Sequence, residues 1–288
     1  MLKLSEVKSI LREYNIHPSK RLGQNFLIDQ NIKNKIIGSI RVSEEDTVLE
    51  IGPGFGALTE DLAKKAKRLV AIEKDRRLYD FLVENLSCSN IKLINGDILQ
   101  YDLSNFASCR TATCEVGQVI VGNLPYSISS PILNHLINNR TCIKSAYVTV
   151  QMEFGERVSA FPGTKDYGSL SCYAQFYGVP KILFKIPRGA FYPVPEVDSC
   201  FLKIDFGKEI DASIDQAVLF KIIRSSFEKR RKTILNSLSS SDIFKSKEEA
   251  LKCLEKSHIS PGRRPETVSL TEFITLSRSK QLDTCDIV

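Results

Sequence analysis

The chain is short of most features that would place it outside ordinary globular proteins. No stretch approaches the roughly 18 uninterrupted apolar residues that a membrane helix requires. The N-terminal MLKLSEVKSILREYNIHPSK is too charged for a secretory signal and too acidic for a typical transit peptide, so a cytoplasmic protein is expected. There is no internal repeat and no low-complexity tract. No Cys-x-x-Cys occurs, and His17, His135 and His258 do not stand at zinc-like spacing from any cysteine. No metal is expected. The eight cysteines (Cys88, Cys109, Cys114, Cys142, Cys172, Cys200, Cys253 and Cys285) are scattered, which argues for free thiols rather than a disulfide framework.

What is present is a chain of 288 residues, 42% hydrophobic and 26% charged, which suits one large domain plus a small one. The net charge of +6 is modest, but its distribution is uneven. Lys221 to Lys232 carries six positive charges against one negative, which fits a solvated helix face and a phosphate-binding footprint equally well.

Strand and helix signals alternate through the first two thirds. Thr47 to Gly52 reads as a buried strand ending in a Gly-rich turn, and Gly56 to Ala66 follows with helical spacing. Arg68–Glu73 is a second strand, and Leu78, Phe81, Leu82 and Leu86 mark one face of the next helix. Ile91–Asp97, Val119–Asn123 and Ala146–Gln151 continue the series, with a helix that has Pro131 in its first turn. This rhythm predicts an α/β protein, a parallel sheet with helices on both faces. Tyr101 to Gly117 is polar and reads as a surface loop. After Pro187, Pro193 and Pro195 comes one more strand, Cys200–Asp205, and from about residue 211 only amphipathic helical segments remain. The expected division is residues 1–210 and a small helical C-terminal domain of residues 211–288.

Glu50-Ile-Gly52-Pro-Gly54-Phe-Gly56-Ala57 stands at a strand-to-helix turn, where α/β folds bind nucleotides. Glu73 ends the second strand, where an acid can accept both hydroxyls of a ribose. Asp97 ends the third, where a carboxylate can accept from an adenine amino group. Either acid could instead cap a turn or helix. Together they point to an adenosine cofactor, without separating NAD from S-adenosylmethionine. Asn123-Leu124-Pro125-Tyr126 makes that separation. An Asn oxygen and the Leu124 carbonyl can accept the two N–H bonds of an adenine N6, Pro125 fixes the turn, and Tyr126 offers a face for a flipped-out base. Stacking of this kind needs the ring and not the hydroxyl.

These residues resemble the motif of amino-group methyltransferases, and the wider chain resembles the ribosomal RNA adenine dimethyltransferase family. Leu22-Gly-Gln-Asn25-Phe-Leu27, Glu50 to Gly54, Glu73, Gly96-Asp97 and Asn123 to Tyr126 follow in that family's order. Phe191-Tyr-Pro-Val-Pro-Glu-Val-Asp198-Ser, Arg230-Arg-Lys-Thr233 and Asn236-Ser-Leu238 complete it, so the likeness runs from about residue 20 to 275.

The resemblance implies a Rossmann-like class I methyltransferase sheet and dimethylation of two adjacent adenosines near the 3′ end of small-subunit rRNA during ribosome assembly. S-adenosyl-L-methionine would be held by Asn25, Leu27, Gly52, Gly54, Glu73, Asp97 and Asn123. The target base would be gripped by Asn123, Leu124, Pro125 and Tyr126, with Phe191 as the opposite stacking face. Lys229, Arg230, Arg231 and Lys232 would meet RNA. The protein is expected to act as a monomer on the pre-ribosomal particle, away from membranes. Ser127 departs from the family's usual Asn, His or Lys. Competing readings are a large-subunit rRNA methyltransferase of the antibiotic-resistance type and a non-catalytic nucleic-acid-binding factor on the same fold. An NAD-dependent dehydrogenase is the outside class, because it gives no reason for Tyr126.

Overall fold

The computed structural model describes residues 3–18, 23–106, 118–229 and 231–285. Leu22, most of the polar 101–117 stretch with Cys109 and Cys114, and Arg230 lie outside the described residues. In chain order the elements begin with α1 (Leu4–Glu13), β1 (Phe26–Leu27), α2 (Gln30–Ser39), β2 (Thr47–Ile51), α3 (Thr59–Lys65), β3 (Arg68–Glu73) and α4 (Arg76–Asn85). There follow β4 (Ile91–Asn95), β5 (Gln118–Asn123), α5 (Ser129–Asn138), β6 (Ile143–Gln151), α6 (Met152–Ser159) and α7 (Ser169–Tyr177). The remainder is β7 (Val179–Ile186), β8 (Phe191–Tyr192), β9 (Ser199–Asp205), α8 (Gln216–Phe227), α9 (Ile234–Leu238), α10 (Lys247–Lys256) and α11 (Leu270–Cys285).

The chain clusters into two compact units, Met1–Gly155 with Val179–Gly207, and Glu156–Gly178 with Lys208–Val288. The first holds a seven-stranded sheet in the order β4-β3-β2-β5-β6-β9-β7. Its central strands are apolar on both faces: Val48, Leu49, Leu69 to Ile72 and Val119 to Val121 are all at most 2% exposed. That pattern belongs to parallel strands covered on both sides. Helices α3 and α4 pack against the strands that they connect, and Asp29 and Asp75 cap α2 and α4 by accepting from Ile32 N and Arg77 N at 3.0 Å.

The sheet is mixed rather than parallel throughout. Strand β9 enters antiparallel between β6 and β7. Strand β7 is not legible in the sequence, because Pro180, Lys181 and Lys185 interrupt its apolar pattern; those residues suit a sheet edge. A second, two-residue ladder pairs β1 with β8, Leu27 opposite Phe191.

The second unit is helical. Asp215 caps α8 through Ala217 N and Val218 N. The Tyr177 hydroxyl donates to Gln216 Oε1 at 2.7 Å, and the Tyr167 and Phe227 rings meet edge-on at 5.9 Å. These contacts tie residues 156–178 to the C-terminal helices, in place of the single break near residue 210 that the sequence pattern suggests.

Gly122 lies opposite Ile51 in the β2–β5 ladder, and a Cβ there would stand 2.8 Å from the Ile51 carbonyl oxygen. Gly122→Ala is therefore expected to force the two strands apart and to destabilise the protein by about 1–3 kcal/mol, the usual cost of overpacking. Urea unfolding reads this directly, and an unchanged midpoint would show that the strands can yield.

Candidate active site

Strand pairing assembles the site. Ile51 stands opposite both Ile72 and Gly122, so the residues that follow, Gly52, Glu73 and Asn123, emerge at one level on the carboxyl rim of the sheet. This is where open α/β sheets bind ligands. The turn after β2 needs positive φ at Gly52 (65°) and Gly54 (60°), which L-residues adopt only under strain. Beside it opens a cavity of about 490 Å³, and Asn25, Leu27, Gly52, Gly54, Glu73, Asp97 and Asn123 all line it. Its size is that of a small-molecule site.

Glu73 is buried, and each of its oxygens receives a backbone N–H: Oε2 from Gly54 at 3.1 Å and Oε1 from Asp75 at 2.9 Å. Burial pushes its carboxyl up to about 7, with those two N–H groups pulling against the rise. Asp97 sits differently. Its Oδ1 accepts from Leu99 N at 3.0 Å, capping a short 3₁₀ turn, and its Oδ2 pairs with Lys74 Nζ at 2.6 Å. Partial burial pushes the Asp97 carboxyl up, but the Lys74 ammonium and the Leu99 N–H outweigh it and hold the group below the usual carboxylate range. Asp97 thus lines the cavity while also capping a turn.

Asn123 carries the decisive geometry. Its Nδ2 donates to the Asn25 carbonyl at 2.7 Å, and Asn25 Nδ2 donates to Gly23 O at 3.3 Å. Committing the amide nitrogen to Asn25 leaves the oxygen as the end that can accept. Leu124 is buried, its N–H donating to Thr149 O at 3.0 Å. Pro125 follows at φ −58°, and Tyr126 begins a 3₁₀ turn. The Tyr126 hydroxyl lies 2.7 Å from Ser199 Oγ; burial raises its pKa, against the bond to Ser199. Phe191 lines the cavity but is only 1% exposed and belongs to the apolar core with Leu27 and Ile36. Its ring is a wall of the site more than an open platform. In the second unit Lys229, Arg231 and Lys232 are exposed, with Lys229 Nζ donating to Ser240 Oγ at 3.0 Å.

One group that the sequence pattern places in the motif but gives no role is Glu50. It lines the same cavity, is fully enclosed, and its Oε2 has no hydrogen-bond partner among the described residues. Burial pushes its carboxyl up to about 7, with the nearby Thr59 hydroxyl pulling against the rise and the neighbouring Glu73 charge adding to it. The signal is an acid inside an otherwise apolar central strand, between Leu49 and Ile51.

Residues 16–280 match the family described as ribosomal RNA adenine dimethylase. The chain belongs to that family. It is 43% identical over 279 residues to the ribosomal RNA small subunit methyltransferase A of Moorella thermoacetica, covering 95% of this chain and 96% of that relative. To the protein of the same name from Bacillus mycoides it is 41% identical over 281 residues, covering 96% and 95%. Among solved structures, a dimethyladenosine transferase from Plasmodium falciparum superposes with a TM-score of 0.75 at 25% identity, over 87% of this chain and 95% of that one. The 23S rRNA methyltransferase ErmE shares the fold, with a TM-score of 0.68 at 24% identity over 89% of this chain and 100% of that one.

Both buried acids bear on stability. The unfolded chain loses each proton near 4.5, whereas the folded protein holds it to about 7. Between those values the native state binds more protons than the unfolded one, so these groups subtract stability as pH rises. Glu50→Gln stays neutral throughout. Its melting temperature is expected to gain on that of the wild type from about pH 4.5 to about pH 7 and to keep that lead above it. A flat or shrinking difference would mean that Glu50 is ionised at little cost.

Proposed function

We propose that the chain uses S-adenosyl-L-methionine to place two methyl groups on N6 of each of two adjacent adenosines near the 3′ end of small-subunit ribosomal RNA, during ribosome assembly in the cytoplasm. The single observation that carries this reading is the Asn123–Asn25 hydrogen bond, because it turns the Asn123 oxygen into a fixed acceptor beside an adenosine-sized cavity. The relatives named ribosomal RNA small subunit methyltransferase A favour the small-subunit RNA over the large. An intact Asn123-Leu124-Pro125-Tyr126 favours an active enzyme over a purely binding factor.

The residues present fit the cofactor. A carboxylate has about four acceptor positions, and backbone N–H groups fill one on each Glu73 oxygen, so ribose hydroxyls can take the others. The unpartnered Glu50 oxygen suits a cationic or donor group. Gly52 and Gly54 bring bare backbone to the cavity edge, Asn25 and Leu27 close one side, and Asp97 stands where an adenine amino group can donate. When bound, S-adenosylmethionine supplies a methyl group already activated as a sulfonium. The protein's own task is placement. An adenine N6 is a poor nucleophile because its lone pair is delocalised into the ring. Asn123 Oδ1 and the Leu124 carbonyl accept its two N–H bonds, Pro125 holds the turn, and Tyr126 stacks on the flipped base while Phe191 closes the apolar wall. Orientation of this kind supplies much of the rate without a side-chain base of special pKa. Lys229, Arg230, Arg231 and Lys232 take RNA phosphates.

Asn123→Ala is expected to slow single-turnover methylation of a small-subunit particle by about 10²-fold, the scale of losing reactant geometry, while particle binding stays close to wild type. Full activity would mean that N6 is held elsewhere. Arg231→Ala with Lys232→Ala is expected to weaken RNA binding and to lower its log–log salt slope by somewhat under one unit for each phosphate no longer neutralised. A slope that does not move would return this run to a plain solvated surface.

A further inference from the structure

Asp198 and Ser199 stand out in the sequence only as part of a motif, with no task of their own. We infer that Ser199 is a positioning residue whose hydroxyl pins the far end of the Tyr126 ring, and so sets the direction in which the ring that stacks on the target base points. This rests on the reading of Tyr126 as the stacking ring.

Ser199 opens β9 and is paired on both sides, with Gln151 of β6 and with Ile186 of β7. It is 0% exposed and is followed by Cys200, Phe201 and Leu202, all buried. A hydroxyl in such a place costs stability unless it is hydrogen-bonded. The Tyr126 phenol, 2.7 Å away, supplies that bond. The serine itself cannot drift. Next to it, Asp198 accepts from Met152 N at 3.0 Å through its carbonyl and from Arg188 N at 2.9 Å through Oδ1, and its Oδ2 pairs with Lys185 Nζ at 2.7 Å.

Tyr126 has the opposite character. It lies in a single 3₁₀ turn after Pro125 and is half-buried, with one end of its ring toward Ser199. A phenolic oxygen lies on the axis about which the ring spins. A bond to it therefore leaves the spin to packing, but it fixes the direction of the ring's long axis, which is the χ1 choice. Without the bond the ring can swing between rotamers, and a base stacked on it swings too. Ring and hydroxyl then have separate duties: the ring makes the stacking surface, and the hydroxyl aims it. The sequence alone gives the hydroxyl no duty.

The test is a double-mutant cycle on single-turnover methylation of a small-subunit particle, with cofactor affinity and melting temperature measured alongside. Ser199→Ala and Tyr126→Phe each remove the same bond, so each is expected to slow transfer by about tenfold, the scale of one hydrogen bond. The double variant is expected to be no slower than either single one. A merely structural serine would instead lower activity by the same factor in both Tyr126 backgrounds, and that result, or full activity in Ser199→Ala, overturns the proposal. Should Ser199→Ala fail to fold, Tyr126→Phe decides: about tenfold loss supports the pin and full activity refutes it. Ring-labelled tyrosine NMR gives a readout free of substrate, in which the Tyr126 ring signal must move in Ser199→Ala and an unmoved signal removes the bond from consideration. If the wild-type chain transfers no methyl to the particle, the functional reading fails, and this role for Ser199 fails with it.

Discussion

Parallel pairing in one register delivers the site. Each step from β3 to β2 to β5 keeps Ile72, Ile51 and Gly122 abreast, and the next residues, Glu73, Gly52 and Asn123, all meet the cavity. A slip of one residue would reverse which face every side chain takes. It would also carry Glu73 or Asn123 a full residue up or down the rim. The register is held by the fully buried apolar runs of the three strands, and by Gly122, whose missing side chain lets the Ile51 carbonyl come close. Stability and site geometry thus have one physical source, the close packing of the central strands.

Local patterns in the sequence carry the strand-turn-helix units, because apolar runs, Gly-rich turns and helical spacing are local properties. They place Gly52, Glu73, Asp97 and Asn123 at strand ends, and all four line the cavity. What stays hidden depends on pairing between distant segments. Nothing near Cys200 indicates that β9 runs antiparallel between β6 and β7, and nothing near Ser169 indicates that this stretch clusters with helices beyond residue 208. Single residues are misjudged for the same reason. Phe191, which the resemblance implies as a stacking face, is set by the β1–β8 ladder opposite Leu27 in the core. Glu50 is legible as an acid in an apolar strand, but that it faces the cavity beside Glu73 depends on the three-dimensional arrangement.

The two acids show why such a site is marginal on its own. Burying a carboxylate is unfavourable, and burying two so close together is more so. Glu73 is offset in part by two backbone N–H groups, whereas one Glu50 oxygen has no partner among the described residues. On the proposed reading the ligand completes the set, its donors taking acceptor positions that the protein leaves open. A group that binds the native state alone stabilises it by mass action, so occupancy and stability are linked through these carboxylates.

On the proposed reading the site has two halves, and they are built differently. The half proposed for the cofactor is built on strand ends and the glycine turn after β2, which bring backbone to the cavity. The half proposed for the base is a short turn, Asn123 to Ile128, that has little structure of its own and is steadied from outside. Asn25 orients the Asn123 amide across 98 residues of sequence, Thr149 holds the Leu124 N–H, and Ser199 meets the Tyr126 hydroxyl across 73. Each tether comes from a different segment, so no one of them can be read from the turn's own sequence. A four-residue motif that occurs by chance in other chains becomes specific only where three distant segments bring the right partner groups to it. That requirement explains why the motif carries little weight alone and much weight in the context of the whole sheet.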